Sequence, residues 1–122
     1  MAFGETDPSE QRGGEASAAG SVPGKVTFSR RELDRILGLY GRMVAAGEWR
    51  DYAIDFLTDK AVFSIYRRSS EVPLYRVEKE PRLSRKHGAY SVVVASGLIL
   101  KRGNDLATVL RVIDKPLRVV GG

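Results

Sequence analysis

The chain has 122 residues, no cysteine and a single histidine, His87. Without thiols there can be no disulfide, thiolate zinc site, iron–sulfur cluster or cysteine nucleophile. One imidazole cannot serve a site that needs two. No run of about 18 apolar residues occurs, so no segment can cross a bilayer as a helix. The opening 24 residues lack the basic start and apolar stretch of a secretory signal. They carry Glu5, Asp7, Glu10, Arg12 and Glu15 among Gly, Ser and Ala instead, so a cytoplasmic location is expected. Phe3 is their only aromatic residue. Such a stretch cannot bury enough apolar surface to offset the entropy of ordering it, and reads as a disordered acidic tail. A phosphate loop is missing too, since Gly41, Gly47 and Gly97 lie far apart and none precedes G-K-[ST]. No cofactor and no metal is expected.

What is present is positive charge. The chain carries +5 overall, and the first 24 residues hold four acids against Arg12. The body therefore keeps 19 Lys and Arg against 11 Asp and Glu, an excess that attracts polyanions or acidic protein surfaces.

The body, residues 25–120, reads as one domain. Ser29 and Glu32 have the S-x-x-E spacing of a capping box, which predicts a helix start. Leu33, Ile36, Leu37, Tyr40 and Val44 form its expected apolar stripe and Gly47 its stop. Gly38 and Gly41 lie inside it, and a close approach by another backbone at one of them is the expected reason. Residues 51–57 alternate, with Tyr52, Ile54 and Phe56 on one face. A turn at Thr58, Asp59 and Lys60 leads to a second, antiparallel strand over 61–68. A third spans 72–79, with Pro73 at its start or at an edge. Residues 90–95 make the fourth. Leu98, Ile99 and Leu100 read as a fifth strand buried on both faces, or as the fourth continued past a bulge at Ser96 and Gly97. Asn104 is the expected cap of a second helix with Leu106, Val109, Leu110 and Ile113 on one face, ended by Pro116. Residues 117–120 supply a last short strand. This order predicts a two-layer α+β fold, an antiparallel sheet of four to five strands with both helices on one face.

The stretch from Val26 to Val120 resembles a family of small bacterial proteins known only as a domain of unknown function. The likeness is carried by YGRMVAAGEWRDYAID over 40–55, RRSSEVPLYR over 67–76 and SGLILKRG over 96–103. The resemblance implies one self-contained domain in a bacterial cytoplasm, and it brings no activity, substrate or catalytic set.

The strongest constellation is basic: Arg67 and Arg68 at one turn, Arg76 and Lys79 on the third strand, Arg82, Arg85 and Lys86 in the next loop, and Lys101 with Arg102 beyond. Tyr66, Tyr75 and Tyr90 interleave with them. Forked guanidinium donors suit phosphates and aromatic rings suit bases, so RNA or another polyanion is the expected partner of a non-enzymatic binding module. Glu71, Glu78 and Glu80 lie in the same stretch as competing partners. The alternative is a protein–protein adaptor or homodimer using the free sheet face and Trp49 as an anchor, against the plainer role of Trp49 as a core lid. The chain order is also similar to that of double-stranded RNA-binding domains, whose second helix should begin with lysines; here it begins Asn104, Asp105, Leu106. Asp51, Asp55 and Asp59 have a spacing that would let a strand offer carboxylates to magnesium, but exposed strand acids and a turn aspartate are commonplace. His87 sits beside Lys86 and Gly88 in a basic, irregular loop, so a surface role is expected. No catalytic residue is assigned.

Overall fold

The structure, a computed structural model, describes residues 23–67 and 72–114. Helix α1 spans Arg30–Ala45 and opens on a complete capping box. The Ser29 hydroxyl accepts from the Glu32 N–H at 3.1 Å and the Ser29 N–H donates to the Glu32 carboxylate at 2.6 Å, so two otherwise orphaned donors are satisfied. At the other end Gly47 takes φ 78°. Its N–H reaches the Val44 carbonyl while that of Glu48 reaches Met43, both at 2.9 Å, the pairing of a Schellman stop.

Five strands follow: β1 Asp51–Phe56, β2 Ala61–Tyr66, β3 Tyr75–Lys79, β4 Tyr90–Val94 and β5 Ile99–Gly103. Each pairs antiparallel with the next, giving the order β1-β2-β3-β4-β5. Leu57 and Lys60 close the first hairpin at 2.8 Å. Helix α2, Leu106–Leu110, ends the described chain with a 3-10 turn, Arg111–Ile113. Phe63, Val77 and Val92 are in register on one sheet face. They form one core with Ile36, Leu39 and Met43 of α1 and Leu106, Val109, Leu110 and Ile113 of the α2 region. The fold is therefore the expected α+β arrangement, with both helices on the same side of the sheet.

Several expectations need correction. The buried stripe of α1 is Ile36, Leu39 and Met43, flanked by Leu33 and Tyr40, whereas Leu37 and Val44 are exposed. The helix is apolar over more than one stripe, and packing against the sheet selected among them. Neither Gly38 nor Gly41 has a close neighbour, since a Cβ at either would meet nothing within 4 Å. Leu98, Ile99 and Leu100 are exposed rather than buried. The last two begin a separate edge strand, and the irregularity in its pairing falls at Val92 and Val93 instead of Ser96 and Gly97. Strand β3 starts two residues after Pro73 and is central; a proline placed before the strand leaves its ladder complete. Pro116, the strand expected over 117–120 and residues 1–22 lie outside the described residues.

Candidate nucleic-acid interface

The segment joining β3 to β4 is irregular in sequence but firmly held. The Glu80 N–H donates to the Ala89 carbonyl at 2.6 Å, and a 3-10 turn over Pro81–Leu83 follows. The Leu83 carbonyl then accepts from the N–H groups of Lys86, His87 and Gly88 at 3.1, 2.9 and 2.9 Å. Asn104 stitches the loop from outside. Its amide nitrogen donates to the Ser84 carbonyl at 2.6 Å while its oxygen accepts from the Ala89 N–H at 2.8 Å. Asn104 is thus not the cap of α2; Asp105 fills that place, accepting from the Thr108 N–H at 3.3 Å. An amide offers a donor and an acceptor at once, which the loop uses and an ionised carboxylate could not supply.

On this backbone Arg82, Arg85, Lys86 and His87 are exposed. Arg82 pairs with Glu80 at 2.9 Å, whereas Arg85 and Lys86 make no ion pair among the described residues. The other basic positions are dispersed. Arg67 sits at the opposite end of the sheet, 4.0 Å from Glu48, and Arg68 lies outside the described residues. Arg76 shares the helix-free face with Arg102 by register, and is 3.2 Å from Glu78, which also takes Lys60 at 3.3 Å. Lys79 alternates to the helix side, where its ammonium donates to the Thr27 carbonyl at 2.8 Å and Glu32 at 2.9 Å. Lys101 lies opposite Val92 on the sheet edge and is exposed. Of the tyrosines, Tyr75 packs edge-on against Trp49 with ring centres 6.2 Å apart, Tyr90 donates to Glu32, and Tyr66 is half-buried on the helix-free face. Trp49 itself is 3% exposed, in the core between Tyr75 and Tyr40. Asp51 and Asp55 lie on the helix-free face of β1 and Asp59 in the following turn, and no group of three or more potential metal ligands forms among the described residues.

Residues 26–110 match the model of a family described as "Protein of unknown function (DUF2794)". The chain belongs to this family. The match runs from the lead-in of α1 to the last residue of α2, so the family unit contains all five strands and the β3–β4 loop. No curated protein and no solved structure matches the chain.

Inside this family unit, Glu32 ties three elements together. It completes the α1 cap, receives Lys79 from β3 and accepts the Tyr90 hydroxyl from β4. Burial raises its pKa, but the hydrogen bonds from Tyr90, Lys79 and Ser29 and the charge of Lys79 together lower it below the ordinary 4.5. Burial, then the bond to Glu32, raises Tyr90 above its ordinary 10. The signs follow from linkage. A lowered carboxyl stabilises the fold above its unfolded pKa and loses that contribution as pH falls through the acid range below about 4.5. A raised phenol stabilises below 10 and loses that contribution as pH rises above it. Urea unfolding across pH should therefore show acid and alkaline losses of stability, with Glu32→Gln flattening the acid limb and Tyr90→Phe the alkaline one. Equal acid limbs in wild type and Glu32→Gln would remove Glu32 from this role.

A second basic group was not assigned from sequence. Arg31, Arg35 and Arg42 line a groove between α1 and α2. Their spacing of four and seven residues is the available signal, because it places them on one helix face. The groove itself depends on where α2 packs.

Proposed function

We propose that this protein is a cytoplasmic, non-enzymatic binding module for RNA or a chemically similar polyanion. Its interface centres on Arg82, Arg85 and Lys86 of the β3–β4 loop and extends to Lys101 and Arg102 on β5. Arg76, Arg67 and Arg68 are further contacts for a long strand, while Lys79 supports the sheet from its other side. The observation that carries this reading is a loop whose backbone is already bonded and whose Arg85 and Lys86 have no ion-pair partner among the described residues. A fixed loop loses little conformational freedom on binding, and its guanidinium groups offer forked donors to phosphate oxygens. The surplus positive charge of the body favours encounter.

Fluorescence anisotropy of labelled single-stranded RNA, duplex RNA and duplex DNA, titrated across a salt series, tests it. Binding should weaken with salt as counterions are released. For single strands, Arg85→Ala combined with Lys86→Ala should reduce the slope of log K against log salt by about 1.4, roughly 0.7 per lost phosphate contact. Absence of binding at low salt overturns the proposal.

One observation favours a second reading, a protein partner or homodimer. Strand β5 is an edge, with Leu98 63% exposed just before it and Ile99 and Leu100 at its start also exposed, and such an edge can extend a sheet across an interface. A dimer that persists in high salt would support this reading.

A further inference from the structure

Residues 1–22 lie outside the described residues, but the place where they join the fold is fixed. The Val26 N–H donates to the Leu57 carbonyl at 2.8 Å, and the Thr27 carbonyl accepts from the Lys79 ammonium at 2.8 Å. Lys79 ends β3, and the 3-10 turn over Pro81–Leu83 opens the β3–β4 loop directly after it. The chain therefore enters α1 at the end of the sheet that carries Arg82, Arg85 and Lys86. The segment arriving there holds Glu5, Asp7, Glu10 and Glu15 against Arg12. Cations elsewhere on the sheet already have carboxylates: Lys60 and Arg76 share Glu78, Lys79 holds Glu32 and Arg67 meets Glu48. Arg85 and Lys86 are exposed and hold none among the described residues.

Length permits the encounter. Glu15 and Glu10 precede Thr27 by 12 and 17 residues, and a Gly- and Ser-rich chain of such lengths has an average span of roughly 17–25 Å. Arg85 lies six residues beyond Lys79, at most about 22 Å along the chain. Tethering places the carboxylates near the loop at an effective concentration on the order of millimolar, so weak contacts suffice.

We propose that the acidic segment from Glu5 to Glu15 occupies the β3–β4 loop of its own chain, its carboxylates on Arg85 and Lys86, so that RNA must displace it. The inference rests on the reading of this loop as the polyanion interface and adds the regulation of that site. A long phosphate chain displaces four carboxylates through its many contacts and a short one does not, so the segment selects for length.

Two measurements on the whole chain test it, with Glu5→Gln, Asp7→Asn, Glu10→Gln and Glu15→Gln combined in one variant. Neutralising the segment should tighten RNA binding at low salt about fivefold or more, the lower end of typical coupling between sites. The gain should shrink as salt screens the contact, and vanish when Arg85→Ala and Lys86→Ala are also present. The second measurement needs no RNA. The chain has no cysteine, so Ser9→Cys carries a single nitroxide label, which should broaden the amide signals of Arg85 and Lys86 at low salt. Those signals should recover when the four acids are neutralised. RNA that binds neither chain overturns the polyanion reading and the regulation with it. RNA that binds both chains equally, or broadening that is absent from the loop or unchanged by neutralisation, overturns this inference alone.

Discussion

Gly88→Ala is expected to remove about 2–5 kcal/mol of folding stability, combining backbone strain with steric overpacking. Gly88 has φ 103°, and a Cβ added there would lie 2.5 Å from the backbone of Gly103. The neighbour is main chain at the end of β5, so no side-chain rotation can relieve the clash. Moving it would disturb the pairing of Gly103 with Tyr90 and the neighbouring Asn104 that fastens the loop. Urea unfolding of the variant should show a markedly lower midpoint. If the variant stays folded, RNA affinity at low salt should drop as well, because Arg85 and Lys86 would no longer be held. A wild-type midpoint would show that the two backbones separate easily.

Trp49→Ala is expected to cost about 3–5 kcal/mol, the range for emptying a large aromatic site in a core. The indole is 3% exposed and packs against Tyr40 and Tyr75, each with ring centres 6.2 Å away. Tyr40 in turn contacts Tyr52 and Phe63, so the cavity would open within a linked aromatic cluster. Small domains have only about 5–15 kcal/mol in total, and the variant should melt far below wild type. As Trp49 is the sole tryptophan, its emission should be that of a buried indole and shift to the red on unfolding. Unchanged stability with loss of a protein contact would instead assign Trp49 to an interface.

Signals confined to a few neighbouring residues were legible in sequence. Ser29 with Glu32 marked the start of α1 and Gly47 its stop, because capping involves groups within one helical turn. The alternation of Tyr52, Ile54 and Phe56 and the burial of Leu106, Val109, Leu110 and Ile113 also followed from local periodicity. Choices made by distant packing were not legible. Leu37 and Leu39 are equally apolar, and only the position of the sheet decides which is covered. Asn104 and Asp105 can both cap a helix, and the approach of Ser84 and Ala89 recruited the first elsewhere.

The same limit applies to charge. Arg76 and Lys79 are close in sequence, yet strand alternation sends one to each face of the sheet, where Glu78 and Glu32 engage them. The fixed loop around Arg85 and Lys86 became visible only through its bonds to Leu83 and Asn104. The α1–α2 groove needed the packing of Leu110 and Asp114 beside Arg35 and Arg42.

The meander order of the sheet has a consequence for how the chain acquires its structure. Among the described residues every sheet pairing joins strands that are neighbours in sequence, so each can zip from its own turn without first closing a long loop. Assembly can proceed hairpin by hairpin, and low contact order favours rapid folding for a sheet of this size. Short exposure of unpaired strands during synthesis then limits the time in which the apolar edge at Leu98, Ile99 and Leu100 can capture another chain.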